Sequence, residues 1–170
     1  YVNQNPFFAA NDDQIEELQD YVDSVRKEGD SIGGELVVEA RGVPAGLGNP
    51  VYNRLDAKLA FALMGLNAVK GVSIGDGFAV SGKKGTENAD EMLDDGFASN
   101  HAGGILGGIS SSAPIVLHVA IKPTPSVTTP LRSLNEAGDD VQIVTIGRHD
   151  PCVALRAAPI LEALVALVLI

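Results

Sequence analysis

Residues 55–74 read LDAKLAFALMGLNAVKGVSI. The apolar residues of this stretch first recur at intervals of three and four, which predicts an amphipathic helix. The residues of this stripe are Leu55, Leu59, Ala62, Leu63 and Leu66. The helical interval is then lost, and residues 69–74 predict a short strand. The stretch therefore predicts a helix followed closely by a strand.

Two further segments alternate with the two-residue period of a strand, one on each side of this stretch. In residues 35–41 the apolar set is Leu36, Val38 and Ala40. In residues 115–122 it is Ile115, Leu117, Val119 and Ile121. Pro123 and Pro125 end the second strand, because proline cannot donate a hydrogen bond to a neighbouring strand.

A helix is predicted near each end of the chain. Asn11, with Gln14 three residues on, resembles a capping box, and the apolar stripe that follows ends at Gly29. The other helix begins at Val153, with Pro159 near its start. Before it, residues 141–146 are predicted to pair as a hairpin with an earlier extended segment.

The order of these elements predicts the fold class. Helices and strands occur in mixed order without a regular strand–helix–strand alternation, which favours an α+β fold with largely antiparallel strands. A chain of 170 residues suits one domain, and we expect a single compact unit over residues 1–170. Within it, residues 75–112 are rich in Gly, Ser, Asp and Asn, and we expect a flexible region with functional importance.

Charge and composition exclude several classes of function. The 12 Lys and Arg against 22 Asp and Glu give a net charge of -10, which argues against binding to duplex nucleic acid or an anionic membrane. The longest apolar run, residues 160–170, is too short to cross a membrane. The single cysteine, Cys152, excludes an internal disulfide and suits a reducing compartment, so we expect a cytoplasmic protein.

Residues 77–84 match a phosphate-binding P-loop up to the last position. There Lys84 replaces the serine or threonine that would hold magnesium, and the following residues lack helical periodicity. We therefore interpret Lys83 and Lys84 as part of an exposed basic turn after a strand.

Residues 99–110, SNHAGGILGGIS, contain two pairs of glycines. Paired glycines let backbone N–H groups come close to a ligand, and the neighbouring apolar residues would suit a flat, partly anionic cofactor. The same composition also suits a glycine-rich turn that links two strands. The residues alone leave both interpretations open.

Two loops carry polar groups that could hold an anion. Residues 122–126, KPTPS, place an ammonium and two hydroxyls on a chain stiffened by proline. Residues 147–152, GRHDPC, place a guanidinium, an imidazole, a carboxylate and a thiol close together, and Asp150 or His149 could transfer a proton. We expect no metal site, because His149 and Cys152 have few potential partners in a chain with three histidines. His118 is expected to be a hydrogen-bonded residue of a strand, and Cys152 a small buried one.

Taken in order, these segments resemble the chorismate synthase family. The matching stretches are residues 28–34, 42–48, 68–71, 75–78, 100–110, 122–124 and 147–152. Each motif is short, but their joint occurrence in this order over nearly the whole chain is specific.

The resemblance implies an enzyme that converts 5-enolpyruvylshikimate-3-phosphate to chorismate and phosphate by a 1,4-anti elimination. It implies reduced FMN as cofactor, with NADPH as the candidate reductant of the flavin. It also implies a homotetramer whose subunits sandwich helices between antiparallel sheets. No nucleic acid or membrane is expected among the partners.

The resemblance also implies the site residues. Flavin contacts fall on Asn67, Ala68, Gly107, Lys122, Pro123, Thr124, Pro125, Ser126 and Arg148. Asp150 matches the family's acidic residue near the central ring nitrogen of the flavin, where it would position or relay the proton that leaves the substrate. We expect Arg148 to lie close to the anionic substrate as well.

Several features depart from the family pattern. Ser112 stands where a glycine is usual, which can alter that turn, and Pro125 stands where many members carry a serine hydroxyl. The family's N-terminal half, with its catalytic histidines and most substrate-binding arginines, has no counterpart here. The chain also begins without Met and ends on an apolar run, so we expect a C-terminal portion that is inactive alone.

Two other functions remain open at this point. The glycine-rich segment and the Lys122 loop would suffice for a noncatalytic module that binds flavin or phosphate. The apolar C-terminal helix would suit an oligomerisation module instead. Flavin binding and product formation distinguish these possibilities.

Overall fold

The structure, a computed structural model, describes residues 4–170. Within these residues the chain divides into two compact units, which we describe separately. The first unit contains the residues up to Gly34 together with Lys122–Ala158, and the second contains Glu35–Ile121 with Pro159–Ile170. The single compact unit expected over residues 1–170 stays a prediction.

The helices and strands follow the predicted order. The helices are α1 (Ile15–Glu28), α2 (Leu55–Met64) and α3 (Ala154–Leu169). The strands are β1 (Gly34–Ala40), β2 (Val69–Ile74), β3 (Met92–Leu93), β4 (Gly96–Phe97), β5 (Ile105–Leu106), β6 (Ile109–Ser110), β7 (Ile115–Ile121), β8 (Leu131–Leu134) and β9 (Asp140–Ile143). The α+β class and the antiparallel pairing of strands are confirmed.

The first unit begins with α1, which buries Val22 and Val25. Its predicted end is confirmed: Gly29 is left-handed with φ 72°, and its N–H donates to the Arg26 carbonyl at 3.2 Å. The predicted capping box is wrong. The Asn11 side chain makes no capping hydrogen bond, because a short 3-10 turn at Asp12–Gln14 separates it from α1.

The predicted hairpin in the first unit is confirmed. Strands β8 and β9 pair antiparallel, with Leu131 opposite Ile143 and Leu134 opposite Asp140. The turn between them is closed by Asn135, whose side-chain oxygen accepts the backbone N–H of Asp139 at 2.9 Å.

The second unit is built on a three-stranded sheet of order β1-β7-β2. Strand β7 alternates as predicted, with Ile115, Leu117, Val119 and Ile121 buried. Strand β2 pairs antiparallel with β7, so that Ser73 lies opposite His118. Helix α2 packs against β2 and buries Leu55, Leu59 and Leu63, three of the five residues of the predicted stripe. Ala62 is half-buried, and Leu66 lies beyond the end of the helix.

The segment between β2 and β7 has short regular elements where the sequence indicated none. A 3-10 helix covers Gly77–Gly82, and two hairpins follow, β3 with β4 and β5 with β6. Elements of two residues carry too few positions to show a period, which is why the sequence pattern did not predict them.

Helix α3 begins in the first unit and ends in the second. Pro159 lies in its second turn, where it removes one backbone N–H from the helical hydrogen bonds. The helix buries Leu161 and Val165 but exposes Leu167. Among the described residues, no helix is long and apolar enough to cross a membrane.

Candidate functional site

A cleft of about 450 Å³ in the first unit is the main candidate for a binding site. Its lining residues are Arg26, Gly29, Asp30, Ser126, Thr128, Gly147, Arg148, His149, Asp150 and Pro151. The lining contains two guanidinium groups, an imidazole and the Ser126 hydroxyl, which can donate hydrogen bonds to an anionic ligand, beside the carboxylates of Asp30 and Asp150.

Three of the predicted site residues, Ser126, Arg148 and Asp150, lie together in this lining. Thr124 is fixed nearby in the same unit, because its carbonyl accepts a hydrogen bond from Ser31 Oγ at 2.6 Å. The remaining members of the 122–126 loop do not line the cleft, and Lys122, Pro123 and Pro125 are exposed.

The end of α1 forms one wall of the cleft. The Gly29 carbonyl accepts hydrogen bonds from the Thr128 backbone N–H at 2.9 Å and from Thr128 Oγ1 at 3.2 Å. A Cβ atom at position 29 would overlap Thr128 Oγ1. The left-handed glycine therefore both ends the helix and admits the loop that carries Ser126 and Thr128.

Asp150 is held by the first turn of α3. Arg156 Nε donates to Asp150 Oδ2 at 2.9 Å, and Arg156 Nη2 donates to Asp150 Oδ1 at 3.4 Å. The segment before the helix is fixed by Ile32, whose N–H donates to the Pro151 carbonyl at 2.7 Å. The carboxylate is therefore oriented by a guanidinium fork that leaves its other lone pairs free to accept hydrogen bonds.

His149 has a buried ring nitrogen without a partner. Nε2 is inaccessible to solvent and makes no hydrogen bond to the described residues. Among the buried side-chain nitrogen and oxygen atoms of these residues, only Asn88 Oδ1 also lacks a partner. A buried polar atom left without a partner costs about 1–3 kcal/mol.

The other predicted contacts lie in the second unit. Asn67 and Ala68 form the turn between α2 and β2, where the Val69 N–H donates to the Leu66 carbonyl at 3.2 Å. Ala68 is left-handed, with φ 74°. Such a conformation costs a non-glycine residue about 1–3 kcal/mol and is found disproportionately at functional sites.

Gly107 lies in the turn between β5 and β6. Gly107 and Gly108 have φ 61° and 86°, the pair of positive angles that a two-residue hairpin turn requires. The glycine pair therefore forms a turn between two short strands, while the role of this segment in binding a cofactor stays a prediction. Gly107 is exposed, and no atom lies within 4 Å of a Cβ built on it, so a ligand could reach its backbone.

Ser110 attaches this hairpin to the loop before α2. Its Oγ donates to the Pro44 carbonyl at 2.6 Å and accepts the Leu47 N–H at 2.9 Å. It is 3% exposed and is the one buried polar side chain among the described residues. The hydroxyl therefore fixes the position of the Gly107 turn relative to the 42–48 loop.

Asp90 binds the segment that leads into the β5–β6 hairpin. Its carboxylate accepts hydrogen bonds from Ser99 Oγ at 2.6 Å and from the backbone N–H groups of His101 at 2.7 Å and Ala102 at 2.9 Å. Burial alone would raise the pKa of Asp90, but these three hydrogen bonds outweigh it and lower the pKa. The ionised form is therefore the one that the fold binds.

A cluster of ionisable side chains in the second unit consists of Asp76, Lys83 and His101. Lys83 Nζ pairs with Asp76 Oδ2, and His101 Nδ1 lies 2.7 Å from the same oxygen and 3.0 Å from Lys83 Nζ. Hydrogen bonds from Lys83 and then from His101 lower the pKa of Asp76. The basic turn predicted at Lys83 and Lys84 is therefore only half correct, since Lys84 is exposed but the Lys83 side chain is 27% exposed and paired.

The remaining histidine and the cysteine behave as predicted. His118 Nδ1 lies 3.0 Å from Glu35 Oε1, across neighbouring strands. Cys152 is buried, and its thiol lies 3.8 Å from the Gly33 carbonyl. No group of three or more metal-binding side chains occurs within residues 4–170.

Sequence reasoning assigned no role to four residues of these arrangements, namely Asp90, Ser110, Arg54 and Arg156. Asp90 and Ser110 act through contacts to residues distant in the chain, which no local pattern indicates. Arg54 and Asp56 are two residues apart in the sequence, as Arg148 and Asp150 are. This repeated spacing could have drawn attention to Arg54.

Comparison with known proteins identifies the class to which this fold and these loops belong. A sequence model of the family described as "Chorismate synthase" matches residues 1–170. A solved structure titled "Crystal Structure of Chorismate Synthase" is 31% identical and superposes with a TM-score of 0.80. The chain belongs to the chorismate synthase family.

The extent of the match is unequal in the two proteins. The superposition covers 99% of this chain but 45% of the chain of the solved structure. The chain therefore spans less than half the length of the relative that it matches.

Proposed function

We propose that this chain is part of a chorismate synthase, a lyase that converts 5-enolpyruvylshikimate-3-phosphate to chorismate and phosphate with reduced FMN. The observation that carries the proposal is the match of the family over residues 1–170, including the motifs around the cleft. The reaction is a 1,4-anti elimination. A C–H bond and a C–O bond break, a proton and phosphate leave, and there is no net change of oxidation state.

The donors of the cleft fit a phosphorylated, partly anionic cofactor or substrate. Arg148 and Ser126 supply a guanidinium and a hydroxyl to the lining, which also contains the imidazole of His149. With a net charge of -10 on the chain, an anion must be held by such local groups. We assign Arg148 and Ser126, with Lys122, Pro123, Thr124 and Pro125 of the adjoining loop, to flavin binding.

Three further residues assigned to flavin binding lie in the second unit and would offer backbone contacts. Gly107 offers an exposed turn N–H with open space around it, and Asn67 and Ala68 offer a strained turn. We assign these three residues to flavin binding as well. Reduced FMN, when bound, supplies the electron density that assists departure of phosphate.

Asp150 is the residue that we assign to proton transfer. Its carboxylate lies in the cleft and is oriented by Arg156, so it can accept a proton or hold one in place. We propose that Asp150 positions or relays the proton removed from the substrate. Arg148, its neighbour in the lining, would bind the anionic substrate.

Further properties belong to the same proposal. We propose that the complete enzyme is a cytoplasmic homotetramer and that NADPH serves to reduce the flavin. We also propose that the 170-residue chain alone binds FMN weakly and has no turnover, because 12 cationic side chains are few for a phosphorylated dicarboxylate.

The experiment compares the complete enzyme with this chain alone. Each is supplied with 5-enolpyruvylshikimate-3-phosphate and chemically reduced FMN under anaerobic conditions, and chorismate formation is followed. The expected result is turnover by the complete enzyme and none by the chain. Flavin binding without product in the complete enzyme would instead indicate a noncatalytic flavin module. A native mass above that of a monomer with no flavin binding would indicate an oligomerisation module.

A further inference from the structure

Arg54 lies directly against the turn that carries Gly107. A Cβ atom built on Gly108 would lie 2.5 Å from Arg54 Cγ and 3.1 Å from Arg54 Nε. The absence of a side chain at position 108 is what allows the arginine to lie flat across the turn. The contact is fixed from the other side by Leu55, whose N–H donates to the Gly108 carbonyl at 2.8 Å.

The guanidinium group of Arg54 is oriented by Asp56. Arg54 Nε donates to Asp56 Oδ1 at 3.0 Å, and Nη2 pairs with Oδ2. The Asp56 carboxylate is itself fixed, because Oδ1 accepts the Ala57 N–H at 2.8 Å. The hydrogen bond from Arg54 to Asp56 raises the pKa of Arg54, so the guanidinium stays charged.

This pairing leaves part of the guanidinium available. An arginine has five N–H donors, and the fork to Asp56 uses two of them. Nη1 donates to no described residue, and the Arg54 side chain is 51% exposed. The half-exposed side chain therefore retains unused N–H donors, and Gly107, next to the glycine that Arg54 contacts, is also open.

We propose that Arg54 binds an oxyanion of the ligand at the Gly107–Gly108 turn, as a further binding residue of the flavin-dependent reaction. The proposal rests on the proposed function. The ligand group is a phosphate or a carboxylate, and it belongs either to the flavin nucleotide or to the phosphorylated substrate. A preorganised guanidinium and an exposed glycine backbone are together suited to such a group.

The chain offers a matched control for this arginine. Arg41 forms the same kind of fork with a carboxylate two residues away, with Nε 2.9 Å from Glu39 Oε1 and Nη2 2.9 Å from Glu39 Oε2. It is exposed and makes no other side-chain hydrogen bond to the described residues. Arg41→Met therefore removes the same chemistry at a place without the glycine turn.

The experiment uses the complete enzyme with Arg54→Met, Arg54→Lys and Arg41→Met. Dissociation constants for FMN and for riboflavin, which lacks the phosphate, are measured by flavin fluorescence, and KM is measured with saturating reduced FMN. We expect Arg54→Met to weaken binding of one anionic ligand about 10- to 100-fold. Arg54→Lys should recover part of this loss, because it keeps the charge but not the fork. Arg41→Met should match the unsubstituted enzyme.

Each outcome decides the proposal. Weaker FMN binding with unchanged riboflavin binding supports a contact with the flavin phosphate. Unchanged FMN binding with a raised KM and an unchanged kcat supports a contact with the substrate. Equal losses for FMN and riboflavin, or values equal to those of Arg41→Met, would overturn it. Absence of both flavin binding and turnover in the Arg41→Met and unsubstituted enzymes would instead refute the proposed function.

Discussion

Arg156 Nε lies 2.9 Å from Asp150 Oδ2, so the first turn of α3 orients the carboxylate of the candidate cleft. The side chains of Arg156 and Asp150 are 75% and 40% exposed. An ion pair this exposed contributes at most about 1 kcal/mol to stability. Its importance in the proposed enzyme is the orientation of Asp150.

Replacing Arg156 should therefore affect catalysis more than folding. We expect Arg156→Met to lower kcat about 10- to 100-fold, because a misplaced carboxylate transfers the proton poorly. The unfolding midpoint and the affinity for FMN should change little. Arg132→Met is the control, because Arg132 also pairs with a carboxylate, with Nη2 3.9 Å from Asp140 Oδ2, but lies in an exposed hairpin. A kcat equal to that of the control would contradict an orienting role.

Removal of the Ser110 hydroxyl should destabilise the second unit. In Ser110→Ala the Pro44 carbonyl and the Leu47 N–H both lose the partner that the buried Ser110 hydroxyl supplies. The expected loss in the free energy of unfolding is about 1–3 kcal/mol, measured by urea denaturation. Ser81→Ala removes an exposed hydroxyl and should stay within about 0.5 kcal/mol. Equal effects of the two substitutions would refute the structural role of Ser110.

The fold was predictable wherever a segment was long enough to show a period. Helix α2 and strands β1 and β7 each present one apolar face, and burial follows that face. The capping of α1 by Asn11 was predicted incorrectly. Asparagine is a residue type that often caps helices, but Asn11 precedes a separate 3-10 turn and not α1 itself. The small hairpins were not predicted, since their register depends on glycine turns such as Gly107–Gly108.

Ser112 is held in a conformation that favours glycine, with φ 72°. Glycine, the residue that the resemblance to the family predicts at this position, adopts this conformation without strain. The left-handed conformation costs a non-glycine residue about 1–2 kcal/mol, and a substitution by glycine removes this strain. Glycine also has more conformational freedom in the unfolded chain, which offsets about 0.5–1 kcal/mol of the stabilisation. We therefore expect Ser112→Gly to stabilise the protein by up to about 1 kcal/mol in urea denaturation. Ser111→Gly, at a position without positive φ, should destabilise it instead.

Asp90 should make the stability of the protein depend on pH. Its pKa is lowered in the folded state, so its contribution is fully present above the unfolded pKa of about 3.9 and is lost as pH falls through the lowered value. Asp90→Asn should therefore be less stable than the unsubstituted protein at neutral pH, and the difference should shrink as pH falls below about 4. The measurement is urea denaturation across this range.

The control for Asp90 is an exposed carboxylate of the same region. Asp94 lies in the turn between β3 and β4, and Asp94→Asn should be nearly as stable as the unsubstituted protein at every pH. A difference between Asp90→Asn and the unsubstituted protein that stayed constant with pH would show that the hydrogen-bonded carboxylate is not the cause.

The candidate site was predictable only through motifs. Arg148 and Asp150 belong to a stretch that resembles the family, and Ser126 lies two residues beyond another such stretch. The structure places all three in the lining of one cleft. Arg156 and Arg54 have no such signal, because their roles depend on the distance to a carboxylate and on a turn that the fold must first form.

Asp150→Asn in the complete enzyme tests the central proposal most directly. Turnover is measured with reduced FMN and substrate at saturation, beside a flavin titration that establishes binding. We expect kcat to fall at least about 100-fold while FMN still binds, because the amide can neither accept nor relay the proton. Turnover equal to that of the unsubstituted enzyme would contradict the role of Asp150 and the account of the cleft built on it.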